Sequence, residues 1–265
     1  MIECVINVSE GRDAATIATI EGAAGDALLD AQVDADHHRA VLTLSGPDVI
    51  SAARAVARTA VDHLDLRAHS GVHPRIGVVD VVPFVPLAGS TMRDALAARD
   101  DFGTWAGTEL ALPCFFFGPE RSLPDIRRGA FSTISPDRGP GAPHRTAGAC
   151  AVGARGVLVA YNLWLASTDL ALAKDIARRL RSPTIRALGL AVGDHVQVSC
   201  NLLAPEVTGP AVVFDTVEAR ANVARAEVVG LVPRSVLDAV PRRRWAQLDL
   251  DDERTIEARI RRWRR

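Results

Sequence analysis

The sequence predicts an α+β protein of two subdomains, each a mixed sheet with helices packed on it. Three observations lead there. Strand-like and helix-like segments alternate in a rough β-α-β rhythm in both halves, the pattern of layered architectures. A stretch rich in Pro, Gly, Arg and His at 134–148 breaks the composition between them, as connecting segments do. The 265 residues suffice for one full core or two smaller ones. The expected subdomains are 1–147 and 148–265.

Residues 2–8 alternate apolar and polar side chains and predict a first strand. Residues 12–25 carry apolar positions at helical spacing and end near Gly25, a plausible C-terminal stop. A strand is expected at 41–45, stopped by Gly46 and Pro47. Asp48 then reads as the N-cap of a helix to about His63. An irregular loop leads into a Val-rich strand at 76–84. Ser90 and Thr91 can cap a helix reaching toward Leu110, and 113–117 reads as a strand. Past the composition break, a strand is expected at 156–164 and a helix from Thr168 to about Leu188, interrupted near Ser182 and Pro183. A strand at 195–203, a helix at 215–226 and a short strand at 228–232 follow. The tail from Asp251 reads as an amphipathic helix with acidic residues first and arginines last, which suits the helix dipole.

Composition excludes several function classes. Hydrophobic residues make up 48% and charged residues 24%, as in a soluble globular protein. A net charge of −1 gives no electrostatic footprint for nucleic acid. No run of about 18 apolar residues predicts a membrane span. The N-terminus lacks a basic region followed by an apolar run, so a cytoplasmic location is expected. Cys4, Cys114, Cys150 and Cys200 are widely spaced within or beside apolar segments, which predicts buried free thiols. No G-x-G-x-x-G or Walker-type phosphate loop is present.

The chemistry concentrates at 67–87, R-A-H-S-G-V-H-P-R-I-G-V-V-D-V-V-P-F-V-P-L. Gly71 and Pro74 argue against a helix there. His69 and His73 therefore sit on irregular backbone before a strand, a good place for proton transfer. A loop histidine is equally often a surface or capping group. Arg39 and Arg75 can bind substrate carboxylates in bidentate fashion, or pair structurally with Asp36 or Asp80. His37, His38, His69 and His73, with Asp34 and Asp36, are metal-ligand types without a ligand frame. Ser9, Glu10 and Gly11 can cap the first helix or touch an anion.

G-x-H-P-R-x-G-x-x-D-V-x-P-F-x-P resembles the signature loop of the formiminotransferase family, the glutamate formimidoyltransferases. The likeness extends along the chain in order: E-C-V-I-N-V-S-E-G at 3–11, D-A-D-H-H-R at 34–39, G-P-G-A-P-H-R-T-A-G at 139–148, V-G-A-R-G-V-L-V-A-Y-N-L at 152–163, Q-V-S-C-N-L-L at 197–203 and V-V-G-L-V-P at 228–233. The chain departs from the family pattern at Ala68, Val72, His38, Ala40 and Arg145.

The resemblance implies two ferredoxin-like subdomains with a ligand cleft between them, and a homodimer. It implies a transferase of one-carbon metabolism and histidine degradation, moving a formimino group between N-formiminoglutamate and tetrahydrofolate as co-substrate. His73 takes the role of general acid and base. Arg39, Arg75, His37 and His69 are the expected substrate-binding residues. Gly139, Pro140, His144, Thr146 and Gly148 are the expected folate-binding residues. The cyclodeaminase domain that some members carry is expected to be absent. Formyl transfer, or folate binding without catalysis, are the alternatives.

Overall fold

The computed structural model describes residues 1–72 and 74–263. His73 lies outside the described residues. The chain divides into two compact units, 1–155 and 156–265. The boundary expected from composition, at 147/148, falls just before a strand of the first unit's sheet.

The first unit begins β1 (Ile2–Val8), α1 (Ala14–Ala23), β2 (Leu28–Asp34), β3 (Arg39–Ser45), α2 (Val49–His63) and β4 (Val79–Pro86). It continues with α3 (Met92–Glu109), β5 (Cys114–Phe117), α4 (Leu123–Gly129) and β6 (Cys150–Ala154). The sheet order is β2-β3-β1-β4-β6-β5. Its first four strands are antiparallel throughout. With α1 and α2 they trace the β-α-β-β-α-β path of the ferredoxin-like motif. β6 adds parallel to β4, and β5 parallel to β6.

Period-2 alternation explains how this sheet buries itself. Cys4, Ile6 and Val8 enter the main core with residues of α2 and α3, while Asn7 points to the other face. Added parallel strands need cover on both faces. Phe116 and Val152 accordingly join the main core, while Phe115, Phe117 and Ala151 pack with Ile126 of α4.

The second unit runs β7 (Val159–Leu165), α5 (Leu170–Leu180), β8 (Ile185–Val192), β9 (His195–Leu202), α6 (Pro210–Glu218) and β10 (Val223–Val229), followed by α7 (Arg234–Asp238) and α8 (Ile256–Trp263). Its sheet order is β10-β7-β9-β8, all antiparallel. This is again the ferredoxin-like path, now without added strands. Tyr161, Leu163, Val198 and Cys200 pack against Ile176 and Ala177 of α5 and Phe214 of α6.

Several expected elements move. The helix foreseen to Leu188 ends at Leu180, and 185–192 is β8. Leu and Ala in 187–191 favour helix locally, but Pro183 cannot continue one, and pairing with β9 takes the backbone hydrogen bonds. The helix foreseen at 215–226 is α6, which starts at Pro210 and ends at Glu218. Residues 223–229 become β10 rather than a strand at 228–232. β2, α4, β6 and α7 were not foreseen. All four cysteines are buried and free; burial pushes the Cys114 and Cys200 thiols up to about 12. Among the described residues no helix is long and apolar enough to cross a membrane.

Helix starts are set by side chains. Asp13 caps α1 and Asp169 caps α5. Thr91 with Asp94, and Ser122 with Asp125, form capping boxes on α3 and α4. Asp48 occupies the N-cap position of α2 without a side-chain capping bond. α4 is also held to the sheet by charge. Arg127 donates from Nη1 to Asp80 Oδ1 (2.8 Å) and from Nη2 to Asp80 Oδ2 (2.5 Å). Asp80 is 2% exposed.

Two outcomes follow from these contacts. Thr91→Ala should lower stability by about 1 kcal/mol, read as a shift in the urea midpoint. For Asp80, burial alone would raise the pKa, but Arg127, Arg39 and the Ile76 N–H together bring it below the ordinary value. A depressed carboxylate stabilises the fold above its unfolded pKa of about 3.9 and loses that stabilisation as pH falls through its folded value. Arg127→Met should therefore cost roughly 3 kcal/mol at neutral pH by stranding a buried charge. The variant should also lose less stability than the wild type on acidification below about pH 4. Equal acid sensitivity in urea titrations of the two proteins would contradict this.

Candidate functional site

The first unit gathers three irregular segments: the β1–α1 connection, the β2–β3 hairpin tip, and the loop entering β4. Asp34 pairs with Arg39 across the hairpin, leaving 35–38 as its tip. Asp34 organises that tip, accepting from His37 N (2.7 Å) and lying 2.8 Å from His37 Nδ1. Such local side-chain bonds mimic a turn. His38 closes the tip at φ 51°, a left-handed conformation that His, like Asn, adopts more readily than bulky residues.

The loop entering β4 lies directly on this tip. Arg75 Nη2 donates to His37 O and Arg75 Nη1 to His38 O, both at 3.1 Å. The His69 ring stacks on His38 with centroids 3.9 Å apart, and its Nε2 donates to His38 O at 3.0 Å. Arg75 Nη1 also sits 2.9 Å from His69 Nδ1. At Gly71 a Cβ would come within 2.6 Å of His37 O, so only glycine allows this approach.

Arginines crowd around Asp80. Arg39 reaches Asn7 Oδ1 through Nε (3.0 Å) and Nη2, and its Nη1 is 3.8 Å from Asp80 Oδ2. Burial pulls Arg39 down to about 10, with Asp80 opposing and Arg127 and Arg75 reinforcing the shift. Burial also lowers Arg75; Asp80 opposes that shift, and Arg127 and Arg12 add to it. Asp80 thus offers one buried carboxylate to Arg39, Arg75 and Arg127, with its primary bonds going to Arg127. The sequence reading missed Arg127 because α4 was not foreseen. Glu10, expected with Ser9 and Gly11 to cap the first helix or touch an anion, accepts at Oε1 from the backbone of Gly11, Arg12 and Asp13 at 2.7–3.0 Å.

The residues expected to hold folate divide into two places. Gly139, at φ 82°, packs on Gly107 and Leu112 at the end of α3, and Pro140 is exposed beside it. His144, Thr146 and Gly148 form a compact knot. His144 N donates to Gly148 O (2.7 Å) and Gly148 N to His144 O (2.9 Å). His144 Nδ1 accepts from Ala147 N at 3.0 Å. This knot joins the loop entering β4: Leu66 N donates to Thr146 O, Val78 N to Ala147 O and Ala149 N to Ile76 O.

In the second unit, Asn162 Nδ2 and Trp164 Nε1 both donate to Glu227 Oε2. Gln197 is fully buried, with neither amide atom partnered among the described residues. Its signal in the sequence was a lone amide between Val196 and Val198 of an alternating strand. Among the described residues no group of three His, Cys, Asp or Glu side chains is arranged to hold a metal ion.

Comparison with known proteins bears on this geometry. The family model for the formiminotransferase domain, N-terminal subdomain, matches residues 1–155, the span of the first compact unit. A glutamate formimidoyltransferase of Streptococcus pyogenes is 34% identical over 89% of this chain and 90% of its own length. One from Thermoplasma acidophilum is 32% identical over 97% and 95%. A formimidoyltransferase-cyclodeaminase of Sus scrofa is 34% identical over 90% of this chain, which spans about half (51%) of that relative. A family model matching more than half of the chain, with a relative 34% identical along most of both lengths, shows that the chain belongs to the formiminotransferase family.

Proposed function

We propose that this protein transfers a formimino group between N-formiminoglutamate and tetrahydrofolate, with the loops of the first unit as the reacting site. The observation that carries the reading is the crowding of Arg39, Arg75 and Arg127 around the one buried carboxylate of Asp80. Fixed positive charge clustered in a partly buried site attracts an anion. Glutamate derivatives bring two carboxylates, and guanidinium groups match carboxylates in bidentate geometry.

Formimino transfer moves a carbon from one nitrogen to another. The attacking nitrogen of tetrahydrofolate must give up a proton, and the departing glutamate nitrogen must gain one. His73 is the residue we assign to both steps. Its loop supports the assignment through its flanks, since His69 on one side and Arg75 on the other are tied to the same hairpin tip. On this reading Arg75 and Arg39 hold the glutamate carboxylates, and His37 and His69 contribute to substrate binding. The knot at 144–148, with Gly139 and Pro140, is the folate-facing loop on this reading. Positioning two substrates together supplies much of the acceleration, and the acid–base step a further ~10²–10⁴-fold. On the same reading the protein works in the cytoplasm as a homodimer, a state sedimentation would read.

The test follows 5-formiminotetrahydrofolate formation from N-formiminoglutamate and tetrahydrofolate. His73→Ala should lower kcat by about 10²–10⁴-fold with the folded state intact by circular dichroism. Arg39→Gln should raise KM for N-formiminoglutamate by roughly 10-fold or more, the loss of a charged hydrogen bond. Near-normal turnover in His73→Ala would remove it from the chemistry. Folate binding without turnover in the wild type would favour a non-catalytic or formyl-transferring relative.

A further inference from the structure

We propose that Glu10 and His38 form a charged positioning couple that holds the loop on both sides of His73. The proposal rests on the transferase reading only for its kinetic consequence; its structural core stands on the geometry below.

The His38 ring faces two acceptors. Nδ1 lies 2.8 Å from Ser70 O, and Nε2 lies 3.1 Å from Glu10 Oε1. A carbonyl and a carboxylate have no hydrogen to give. Both contacts therefore form together only when each ring nitrogen carries a hydrogen, the imidazolium form. Glu10 is built to remain an anion. Burial alone would raise its pKa, but the N–H groups of Arg12, Asp13 and Gly11, with the charge on His38, bring it below the ordinary value. Three successive backbone N–H groups aimed at one oxygen make an anion nest, here filled by the chain's own carboxylate.

The neighbours of His38 are arranged for a cation. His69 Nε2 lies 3.0 Å from His38 O, and Arg75 Nη1 lies 2.9 Å from its Nδ1 and 2.5 Å from its Nε2, so a fixed cation already sits against this ring. Burial lowers the His69 pKa; its bond to the His38 carbonyl opposes this, while the charges of Arg75 and His38 add to it. Burial and the Arg75 charge favour the uncharged His69 ring, which spares the stack like-charge repulsion. Among the described residues, the charged or titratable groups on the segments around the ring are Glu10 and Arg12 from the β1–α1 connection, Asp34, Asp36 and His37 from its own turn, and His69 and Arg75 from the loop. Glu10 is the carboxylate the ring contacts.

The consequence is mechanical. Ser70 is held by the His38 ring, His69 by the His38 carbonyl and the stack, and Arg75 by the carbonyls of His37 and His38. One residue at a hairpin tip therefore anchors both ends of the loop that bears His73. Its left-handed backbone keeps ring and carbonyl aimed at that loop together.

The experiment uses the full chain with ¹⁵N-labelled histidine, the His38 signals being assigned by His38→Asn. Both His38 ring nitrogens should bear hydrogen at neutral pH. Glu10→Gln should convert the ring to the form with one bare nitrogen. The same substitution should speed amide exchange of residues 69–72 by roughly 10-fold, the loss of one charge-assisted bond, leaving the second unit unchanged. In the enzyme assay Glu10→Gln and His38→Asn should lower kcat while KM for folate holds. A bare ring nitrogen in the wild type, or unchanged loop exchange in Glu10→Gln, overturns the proposal. If Glu10→Gln does not fold, His38→Asn reads the same loop exchange, because asparagine accepts the positive φ. An inactive wild type tells against the transferase reading, and the spectroscopic and exchange results still decide this one.

Discussion

The close approach of two backbone strands at Gly77 and Gly148 is the constraint on which the first unit's functional loops depend. A Cβ at Gly77 would lie 2.0 Å from Ala149 O, and one at Gly148 would lie 2.4 Å from Ile76 O. Gly148 is also held at φ 71°, where a side chain is strained. With no side chain between them, the segment entering β4 and the segment entering β6 bond directly: Ala149 to Ile76, and Val78 to Ala147. Everything that enters β4 is then referenced to the sheet rather than left as free loop. Ile76 N in turn finds Asp80 Oδ1 at 2.8 Å, which ties the loop exit to the buried carboxylate one turn of chain away.

That carboxylate sets the electrostatics. A buried Asp would raise its pKa and neutralise unless cations and hydrogen bonds compensated. Arg127 supplies the compensation in a fork geometry that lysine cannot reproduce. Arg39 and Arg75 have further contacts besides this carboxylate. Arg39 leans on the Asn7 side chain and Arg75 on main-chain carbonyls. Neutral acceptors orient a guanidinium without cancelling its charge.

Much of this was legible in the sequence, and the remainder was hidden for identifiable reasons. The ordering of motifs showed the family, and Thr91, Pro47 and the Val-rich run at 78–82 marked element boundaries through local chemistry. β8 was misread as helix because Leu and Ala say little about sheet edges. The hairpin signal at Gly193-Asp194, with Gly193 at φ 55°, was the better witness. β2 was missed because only Leu29 within it is fully buried, so its alternation is faint. α4 is short, and its Ser122–Asp125 capping box was the signal passed over. Missing α4 removed Arg127 from view, and with it the partner that decides how Asp80 behaves. The role of His38 was invisible for another reason: it arises from a contact with Glu10, 28 residues away, which no local pattern encodes.

The two units share one path and differ in what is added to it. Both follow the same β-α-β-β-α-β path with the same strand order, although no sequence repeat marks it. In the second unit the connections are short: β8 turns into β9 through two residues, and β9 reaches α6 without a long excursion. In the first, the chain between α2 and β4 is left long, and the path continues beyond β4 through β5 and β6. That extension brings the 144–148 knot back against the entrance to β4. A long connection alone would be costly to order, and irregular backbone rarely stays fixed without partners. Here the added parallel strands give the loop a wall on one side, and the hairpin tip carrying His37, His38 and Arg39 gives it one on the other. The core fold is therefore common to both units, and the ordered loop entering β4 comes from what the first unit adds to it.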